Sequence, residues 1–469
     1  NKIDSELLVG VPLDSIFDVQ GAKLIDGVYY SSESSVTITP KKTIIYNGET
    51  ILENVSRADL FFDGEFHEAK LGLIKHPITI DKDTTITPLQ IYSGNWFSCD
   101  SDAVMKIVFD TTAPVIGEIN GLPGEDEYVN TNRTVSFTVT DELSGVDSVT
   151  ATRSYGKISD EPVTVSSSNG SYSLSVEPVS GYTGDITYEI TAIDHVGNSS
   201  TKEFTVQNDT VAPQLADGDA VIFSDNEDNF FRWLLNAISF GNWGNNEITV
   251  TVNAKDDGAG FGDSDIANAT VEFVPENGKV GDTGNLKASA SINTDGKAEI
   301  KIDTEELINK NEVFKGTVYI TLSDKLGNPT EPILVTTTNS NILNGTDSII
   351  MIESVKPTIT ITPSSISGKS YVNSENKTIY NGDASFTVNM NDQNSGLYSY
   401  AVTINGKAQN DKEVPELFPS EENIQDEGKP VYEETVSLTT ENLTANEDGS
   451  FVVKVTVIDN SGNVNDETC

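Results

Sequence analysis

Three short phrases recur in the same order along this chain, and a repeat of this kind constrains the fold more than any other feature of a sequence. The first phrase contains a proline at its fifth position and is called the joint phrase below. It reads DTTAPVI at 110–116, DTVAPQL at 209–215 and ESVKPTI at 353–359. The second ends in an aspartate loop and reads VSFTVTDELSGV at 135–146, ITVTVNAKDDGAGF at 248–261 and ASFTVNMNDQNSGL at 384–397. The third closes each unit and reads YEITAIDHVGNSS at 188–200, VYITLSDKLGNPT at 318–330 and VKVTVIDNSGNVN at 453–465. The chain is therefore expected to be an array of similar domains.

Apolar and polar residues alternate within these phrases. Val135, Phe137 and Val139 occupy every second position, and 318–322 repeats the pattern. This period places one row of side chains on one face of a half-buried strand. Proline disfavours helix in the residue before it, so each joint should be extended. Short strands separated by frequent turns predict an all-β chain of β-sandwiches.

The repeats predict four domains with the boundaries 1–109, 110–208, 209–352 and 353–469. Residues 1–109 have the same strand-like texture without the two aspartate phrases, so they should form a divergent first sandwich.

One segment, DNFFRWLLNAISFGNWG at 228–244, departs from the strand pattern. Its apolar residues fall at helical spacing, Asp228 is suited to cap the start of a helix, and Gly241 is suited to end it. A short helix at about 229–240 is therefore predicted as an insertion in the third domain.

The phrases D-T-x-A-P at 110–114, T-V-T-D-x-x-S-G-V at 138–146 and A-x-D-x-x-G-N at 192–198 resemble those of bacterial immunoglobulin-like repeats in Gram-positive cell-surface and secreted proteins. The resemblance covers 110–469 well and 1–109 by texture alone. It implies tandem immunoglobulin-like β-sandwiches in an extended array, located outside the cell or on the bacterial surface. Such modules serve adhesins, surface layers, stalks and spacers of enzymes, so the fold does not fix the function.

The aspartates of the phrases continue the row of core-facing positions, because Val139 to Asp141 and Ala192 to Asp194 are steps of two. They should lie at the rim of the core. In an immunoglobulin-like sandwich the first aspartate would end strand B and the second strand F, and both strands end at the same pole. The carboxylates of one unit are then expected to face each other.

Two interpretations of these aspartates follow. In the first, each accepts hydrogen bonds from backbone N–H groups of its own loop, and a glycine supplies the positive φ that the loop needs. These glycines are Gly145, Gly197, Gly260, Gly327, Gly396 and Gly462. In the second interpretation the carboxylates bind calcium, a hard cation that takes six to eight oxygen ligands. The candidate calcium ligands are Asp110, Asp141, Asp194, Asp209, Asp256, Asp324, Asp392 and Asp459. The third joint begins with Glu353 instead of aspartate and is not in this set.

Composition excludes several classes of function. With 73 acidic and 29 basic residues the formal charge is −44, which repels nucleic acid. No apolar run is long enough to predict a membrane span. Cys99 is expected to be a small buried residue. The histidines lack metal-ligand spacing and no nucleophile motif appears, so an enzyme is not predicted. The chain begins at Asn1 without a signal peptide and resembles a portion of a longer protein.

Aromatic residues crowd the predicted helix, and Trp233, Trp243 and Phe231 are the candidate ligand-binding residues. Exposed aromatic rings stack on sugars or anchor a protein partner. The alternative is that the helix covers a sheet edge or packs a domain joint.

The expected function is a non-catalytic structural or adhesive stalk of a bacterial surface protein, which presents or spaces a binding function. The alternative is a carbohydrate-binding or accessory region of a secreted or cell-wall-attached enzyme. The expected partner is a host or cell-surface protein or a glycan, and calcium is the one candidate cofactor.

Overall fold

The computed structural model describes residues 8–72, 75–225, 242–244, 247–262, 266–303, 313–342, 349–366, 369–380, 382–408 and 431–469. The chain divides into two compact units, Asn1–Asp209 and Thr210–Cys469. Nearly all regular structure in the described residues is β-strand, and their one helix is a single turn, Leu13–Ile16.

The first unit begins with a sandwich whose strands are β1 Phe17–Gln20, β2 Lys23–Ile25, β3 Val28–Ser31, β4 Val36–Pro40, β5 Ile44–Tyr46, β6 Glu49–Leu52, β7 Arg57–Phe62, β8 Glu65–Lys70, β9 Ile78–Ile80, β10 Thr84–Tyr92, β11 Trp96–Ser98 and β12 Met105–Phe109. A three-stranded sheet, β1-β4-β9, shares one hydrophobic core with a seven-stranded sheet, β2-β3-β12-β10-β7-β8, in which β11 also pairs with β10. Cys99 is buried in this core as a free thiol, as predicted, and burial raises its pKa to about 12.

The second sandwich completes the first unit, and its strands are β13 Val115–Ile116, β14 Tyr128–Val129, β15 Arg133–Thr140, β16 Val146–Tyr155, β17 Ile158–Val163, β18 Val165–Ser168, β19 Ser171–Val176, β20 Thr183–Asp194 and β21 Ser199–Asp209. Its two sheets have the orders β13-β15-β19-β18 and β14-β21-β20-β16-β17. Strands β14 and β21 are parallel, and the other neighbours are antiparallel. In immunoglobulin terms, β15 is strand B, β20 is strand F and β21 is the last strand, G.

The second unit begins with the third sandwich, whose strands are β22 Gln214–Leu215, β23 Val221–Asp225, β24 Asn242–Gly244, β25 Glu247–Lys255, β26 Asn268–Pro275, β27 Leu286–Ser291, β28 Lys297–Asp303, β29 Val313–Ser323, β30 Ile333–Leu334 and β31 Ile350–Glu353. One sheet joins β22, β23 and β28 to β25, and the other has the order β24-β31-β29-β26-β27 with β30 paired to β29. Strand B is β25 and strand F is β29.

The fourth sandwich contains β32 Thr358–Ser365, β33 Ser370–Val372, β34 Thr378–Tyr380, β35 Ala384–Asn391, β36 Leu397–Ile404, β37 Lys407–Ala408, β38 Glu433–Thr439, β39 Val453–Asp459 and β40 Val464–Thr468. Its sheets are β32-β35-β38 and β37-β36-β39-β40, with β33 and β34 as a separate hairpin. Strand B is β35 and strand F is β39.

The alternation that predicted the strands also builds the cores. Val135, Phe137 and Val139 on β15 are all buried, because a period of two places them on the inner face. In the same core Tyr188 stacks on Phe204 with ring centroids 4.9 Å apart. Burying an apolar side chain such as Phe137 stabilises the fold by roughly 1.5–3 kcal/mol. The predicted all-β fold of tandem immunoglobulin-like sandwiches is confirmed, and the helix predicted at about 229–240 lies outside the described residues.

Candidate metal centres at two domain joints

The first joint is formed by Asp110, which directly follows β12 and links the first sandwich to the second. Its backbone N–H donates to the carbonyl oxygen of Ser31 at 2.8 Å, which extends the hydrogen bonding of the first sandwich. Its side chain faces the second sandwich: Oδ2 accepts from the N–H of Ser144 at 3.0 Å, and Oδ1 accepts from the N–H and Oγ1 of Thr112. Burial acts to raise the pKa of Asp110, but these hydrogen bonds outweigh it and hold the pKa below its usual value.

Asp141 follows strand B of the second sandwich and closes a tight loop. Its Oδ1 accepts from the N–H groups of Leu143 at 3.1 Å and Gly145 at 2.7 Å. Asp194 ends strand F, and its Oδ1 accepts from three successive N–H groups of the next loop at 2.6–2.9 Å. The interpretation that each aspartate organises its own loop is therefore confirmed at both positions.

The glycines of these loops behave as predicted. Gly145, Gly197, Gly260, Gly327, Gly396 and Gly462 all have positive φ, between 73° and 100°. Glycine adopts this conformation without the steric cost that a Cβ atom would add.

Strands B and F end at the same pole of the sandwich, so the loops bring their carboxylates together with the joint. One carboxylate oxygen from each of Asp110, Asp141 and Asp194 lies within 4.8 Å of the other two. Asp110 and Asp194 are buried, and Asp141 is partly exposed. Like charges this close repel each other unless donors or a cation compensate.

The joint between the third and fourth sandwiches repeats this arrangement with Glu353 in the position of Asp110. Glu353 ends β31, and one of its carboxylate oxygens lies within 4.8 Å of oxygens of Asp392 and Asp459. All three side chains are buried. Glu353 is a site residue that the sequence prediction missed, and its place in the third joint phrase was the signal that could have found it.

Among the described residues, hydrogen bonds to the carboxylate of Glu353 reach only one of its two oxygens. Its Oε1 accepts from the N–H of Ser395 at 3.2 Å and from Oγ of Ser461 at 3.0 Å. Its Oε2 is buried and has no hydrogen-bond partner among the described residues. Burial, and then the charge of Asp392, raise the pKa of Glu353.

The two aspartates of this site are fixed by their own loops. Asp392 Oδ1 accepts from the N–H groups of Asn394 at 2.9 Å and Gly396 at 2.7 Å. Asp459 Oδ1 accepts from the N–H of Asn463 at 2.8 Å, and Asp459 Oδ2 accepts from the Asn463 side chain at 3.0 Å.

The pKa of Asp459 is raised to about 7, mainly by burial. Repulsion by Glu353 and Asp392 raises this pKa further, and the hydrogen bonds from Asn463 only partly lower it. In the described part of the chain, none of the six carboxylates of these two sites forms an ion pair with lysine or arginine. The described residues thus provide no lysine or arginine counter-charge at either site.

The remaining candidate ligands also accept hydrogen bonds within their own units. Asp209 ends β21 in the first unit, is buried, and accepts from Oγ1 of Thr183 at 2.9 Å. In the second unit, Asp256 Oδ1 accepts from the N–H groups of Gly258 and Gly260.

Asp324 directly follows strand F of the third sandwich. Its Oδ1 accepts from the N–H groups of Leu326 and Asn328, and its Oδ2 accepts from the side chain of Asn328 at 2.6 Å.

The two convergent sites have the donor chemistry that calcium requires. Each offers three hard carboxylate oxygens that lie within 4.8 Å of one another, and backbone carbonyls and water can complete six to eight ligands. The unpaired Oε2 of Glu353 fits this assignment, because a cation supplies the partner that the protein does not. That these residues bind calcium stays a prediction.

The aromatic candidates are not brought into a site by the described structure. Trp233 and Phe231 lie outside the described residues. The backbone of Trp243 lies in β24 and pairs with Met351 in a parallel ladder. Their role in ligand binding stays a prediction.

Comparison with known proteins gives likenesses to solved structures only. No family model and no curated protein matches the chain. A tetra-tandem repeat in the extending region of a large adhesion protein is 15% identical, with 97% of each chain covered and a TM-score of 0.28. A structure from a 1.5-MDa bacterial ice-binding adhesin is 17% identical over 69% of this chain and 96% of that one, with a TM-score of 0.30. Protocadherin gammaB7 EC3-6 is 14% identical over 94% and 98%, with a TM-score of 0.22. At such TM-scores no functional conclusion is drawn from these likenesses.

Proposed function

We propose that this chain is a non-catalytic spacer or adhesive stalk region of an extracellular bacterial surface protein, in which calcium ions fix the joints between successive sandwiches. The observation that carries the proposal is the position of Asp110. Its backbone belongs to the hydrogen bonding of one sandwich, and its carboxylate belongs to a cluster built by the next. A cation bound there contacts both sides of the joint.

The short joints support a mechanical function. Phe109 ends the last strand of the first sandwich, and Val115 begins the first strand of the second. Oγ of Ser32 in the first sandwich also donates to the carbonyl oxygen of Val196 in the second at 2.7 Å. A short joint with contacts on both sides restricts domain motion more than a flexible linker of glycine and serine does.

Calcium suits these sites better than magnesium. The carboxylates come from separate loops and a joint, and calcium accepts such irregular geometry with six to eight ligands. Magnesium demands near-ideal octahedral geometry and loses its water reluctantly. The proposal extends to Asp209, Asp256 and Asp324 on the strength of the sequence repeat alone.

The extracellular assignment rests on composition and on the family resemblance. The formal charge of −44 suits a hydrated surface and divalent cations and opposes binding to nucleic acid. Within the described residues, no helix is both long enough and apolar enough to span a bilayer.

Thermal unfolding in EDTA and in millimolar calcium chloride tests the proposal. A ligand that binds only the native state at 100 times its dissociation constant stabilises that state by about 2.7 kcal/mol, which raises Tm by several degrees. The combined variant Asp141→Asn, Asp256→Asn and Asp392→Asn should lose most of this rise. Superimposable wild-type curves would overturn the proposal, and magnesium chloride at equal ionic strength controls for screening.

A further inference from the structure

The residue after the strand F aspartate occupies an equivalent place at the two joints. The N–H of His195 donates to the carbonyl oxygen of Gly145 at 3.1 Å, and the N–H of Asn460 donates to that of Gly396 at 2.9 Å. Each residue therefore connects its strand F loop to the strand B loop of the same site. The side chains at this equivalent position differ in chemistry, because one is the imidazole of His195 and the other is the amide of Asn460.

In the fourth sandwich, the side-chain oxygen Oδ1 of Asn460 has no hydrogen-bond partner among the described residues. Its side chain is 4% exposed, and Nδ2 donates to the carbonyl oxygen of Ser395 at 2.8 Å. Its Oδ1 is buried without a hydrogen-bond partner in the described part of the chain. Leaving a buried amide oxygen unpaired is unfavourable, and such atoms are rare in folded proteins.

Ser395 connects the side chain of Asn460 to a second side chain that has an unpaired buried oxygen. Ser395 accepts from the Asn460 side chain through its carbonyl and donates through its N–H to Oε1 of Glu353. The other oxygen of Glu353, Oε2, is the second buried atom without a partner. Ser395 thus holds two side chains that each have a buried oxygen without a partner, and one of them, Glu353, belongs to the carboxylate cluster.

At the Asp110 site the one buried oxygen without a partner among the described residues is the hydroxyl Oγ of Ser144, and no buried carboxylate oxygen is unpaired there. Both oxygens of Asp110 accept hydrogen bonds, and Nδ1 of His195 lies 2.9 Å from the carbonyl oxygen of Gly145. Asp141 is partly exposed, so water can solvate it. The charge at Asp110 is satisfied by the protein, and the charge at Glu353 is not.

We propose that the Glu353 site is the higher-affinity calcium site of the two, and that Oδ1 of Asn460 is a neutral ligand in it beside the carboxylates of Glu353, Asp392 and Asp459. The inference rests on the calcium function proposed above. Calcium commonly combines carboxylate with amide oxygens, and affinity rises with the number and charge of the ligands. As the calcium concentration rises, the Glu353 site is occupied before the Asp110 site.

Calorimetric titration of the chelator-treated full chain with calcium chloride tests this order. Glu353→Gln should weaken the tightest binding event by at least about tenfold, and Asn460→Ala should weaken it by several-fold. Asn460→Asp should strengthen it, because it adds a negative ligand at the same place. Asn446→Ala, which alters an exposed loop, is the matched control and should change nothing.

Unfolding of the same variants separates ligation from a structural role. Without calcium, Glu353→Gln should unfold at or above the wild-type temperature, because it removes a buried charge. Asn460→Ala also removes the donor of the Ser395 carbonyl oxygen, so its Tm should fall without calcium and fall further below wild type with saturating calcium. For either variant, an equal loss of stability in both conditions would overturn the inference.

The titration also distinguishes this inference from the proposed function. If wild type shows no calcium binding, both fail. If calcium binds, but the tightest event survives Glu353→Gln and is weakened by Asp141→Asn, only the order proposed here fails.

Discussion

The side-chain amide of Asn198 donates to the backbone carbonyl oxygen of Asp110 at 2.9 Å, so the last residue of the Asp-x-x-Gly-Asn phrase bonds directly to the domain joint. The same amide donates to Oδ2 of Asp194 at 2.7 Å. In the fourth sandwich Asn463 donates to Oδ2 of Asp459 and to the carbonyl oxygen of Val355 at 3.2 Å. The phrase therefore shapes a turn and ties that turn to the joint.

Asn198→Ala should destabilise the second sandwich by about 1–3 kcal/mol, because it removes the donor that the Asn198 side chain supplies to the Asp110 carbonyl oxygen and to Oδ2 of Asp194. Chemical denaturation measures this loss. Asn120→Ala is the matched control, since the side chain of Asn120 is exposed and makes one long hydrogen bond of 3.4 Å. Equal stability of the two variants would show that the tie to the joint contributes nothing.

The metal-free protein should lose stability as pH rises. Asp459 has an ordinary pKa of 3.8 and a folded-state pKa of about 7, so the folded state binds its proton more tightly. The stabilising effect is complete below about pH 4 and is lost as pH rises through 7. Thermal unfolding in EDTA from pH 5 to pH 8 should show this fall, and Asp459→Asn should flatten it. An unchanged pH profile in the variant would assign the fall to other groups.

Gly316 lies where β29 passes close to β26, and a side chain there would be destabilising. A Cβ atom at this position would lie 2.1 Å from the carbonyl oxygen of Val274 and 2.6 Å from Cζ of Phe314. Gly316→Ala should therefore cost about 1–3 kcal/mol by overpacking. Gly284→Ala is the control in the same sandwich, because nothing lies within 4 Å of its Cβ position. Denaturation midpoints that move equally in both variants would contradict the close approach.

Calcium should slow hydrogen exchange in the two loops of the fourth-sandwich site. The N–H of Gly396 donates to Asp392 and the N–H of Asn463 donates to Asp459, so a cation that fixes these carboxylates also holds both loops closed. Peptides that cover 392–396 and 459–463 should gain protection relative to EDTA. The β18–β19 hairpin, which is distant in sequence from both sites, should not change. A uniform gain across the chain would indicate a general salt effect.

Much of this arrangement could be predicted from the sequence because strands have a period of two. Steps of two from Val139 and Ala192 place Asp141 and Asp194 at the rim of the core, and the structure brings both to one pole. The loop glycines were predictable because a short aspartate loop needs positive φ.

The details of the Glu353 site were not predictable in the same way. A glutamate in a joint phrase that elsewhere begins with aspartate does not reveal that its longer side chain reaches the cluster. Which oxygen of Glu353 or Asn460 lacks a donor depends on side-chain packing between segments far apart in the chain, and alternation carries no information about it.

Crystals grown in calcium chloride, with anomalous diffraction data collected at long wavelength, test the central claim most directly. The account predicts an anomalous peak between Asp110, Asp141 and Asp194 and another between Glu353, Asp392 and Asp459, each with oxygen ligands at about 2.3–2.6 Å. The absence of an anomalous signal at both positions, with water or only protein hydrogen bonds there, would contradict this claim. The aspartates would then serve only to shape their turns.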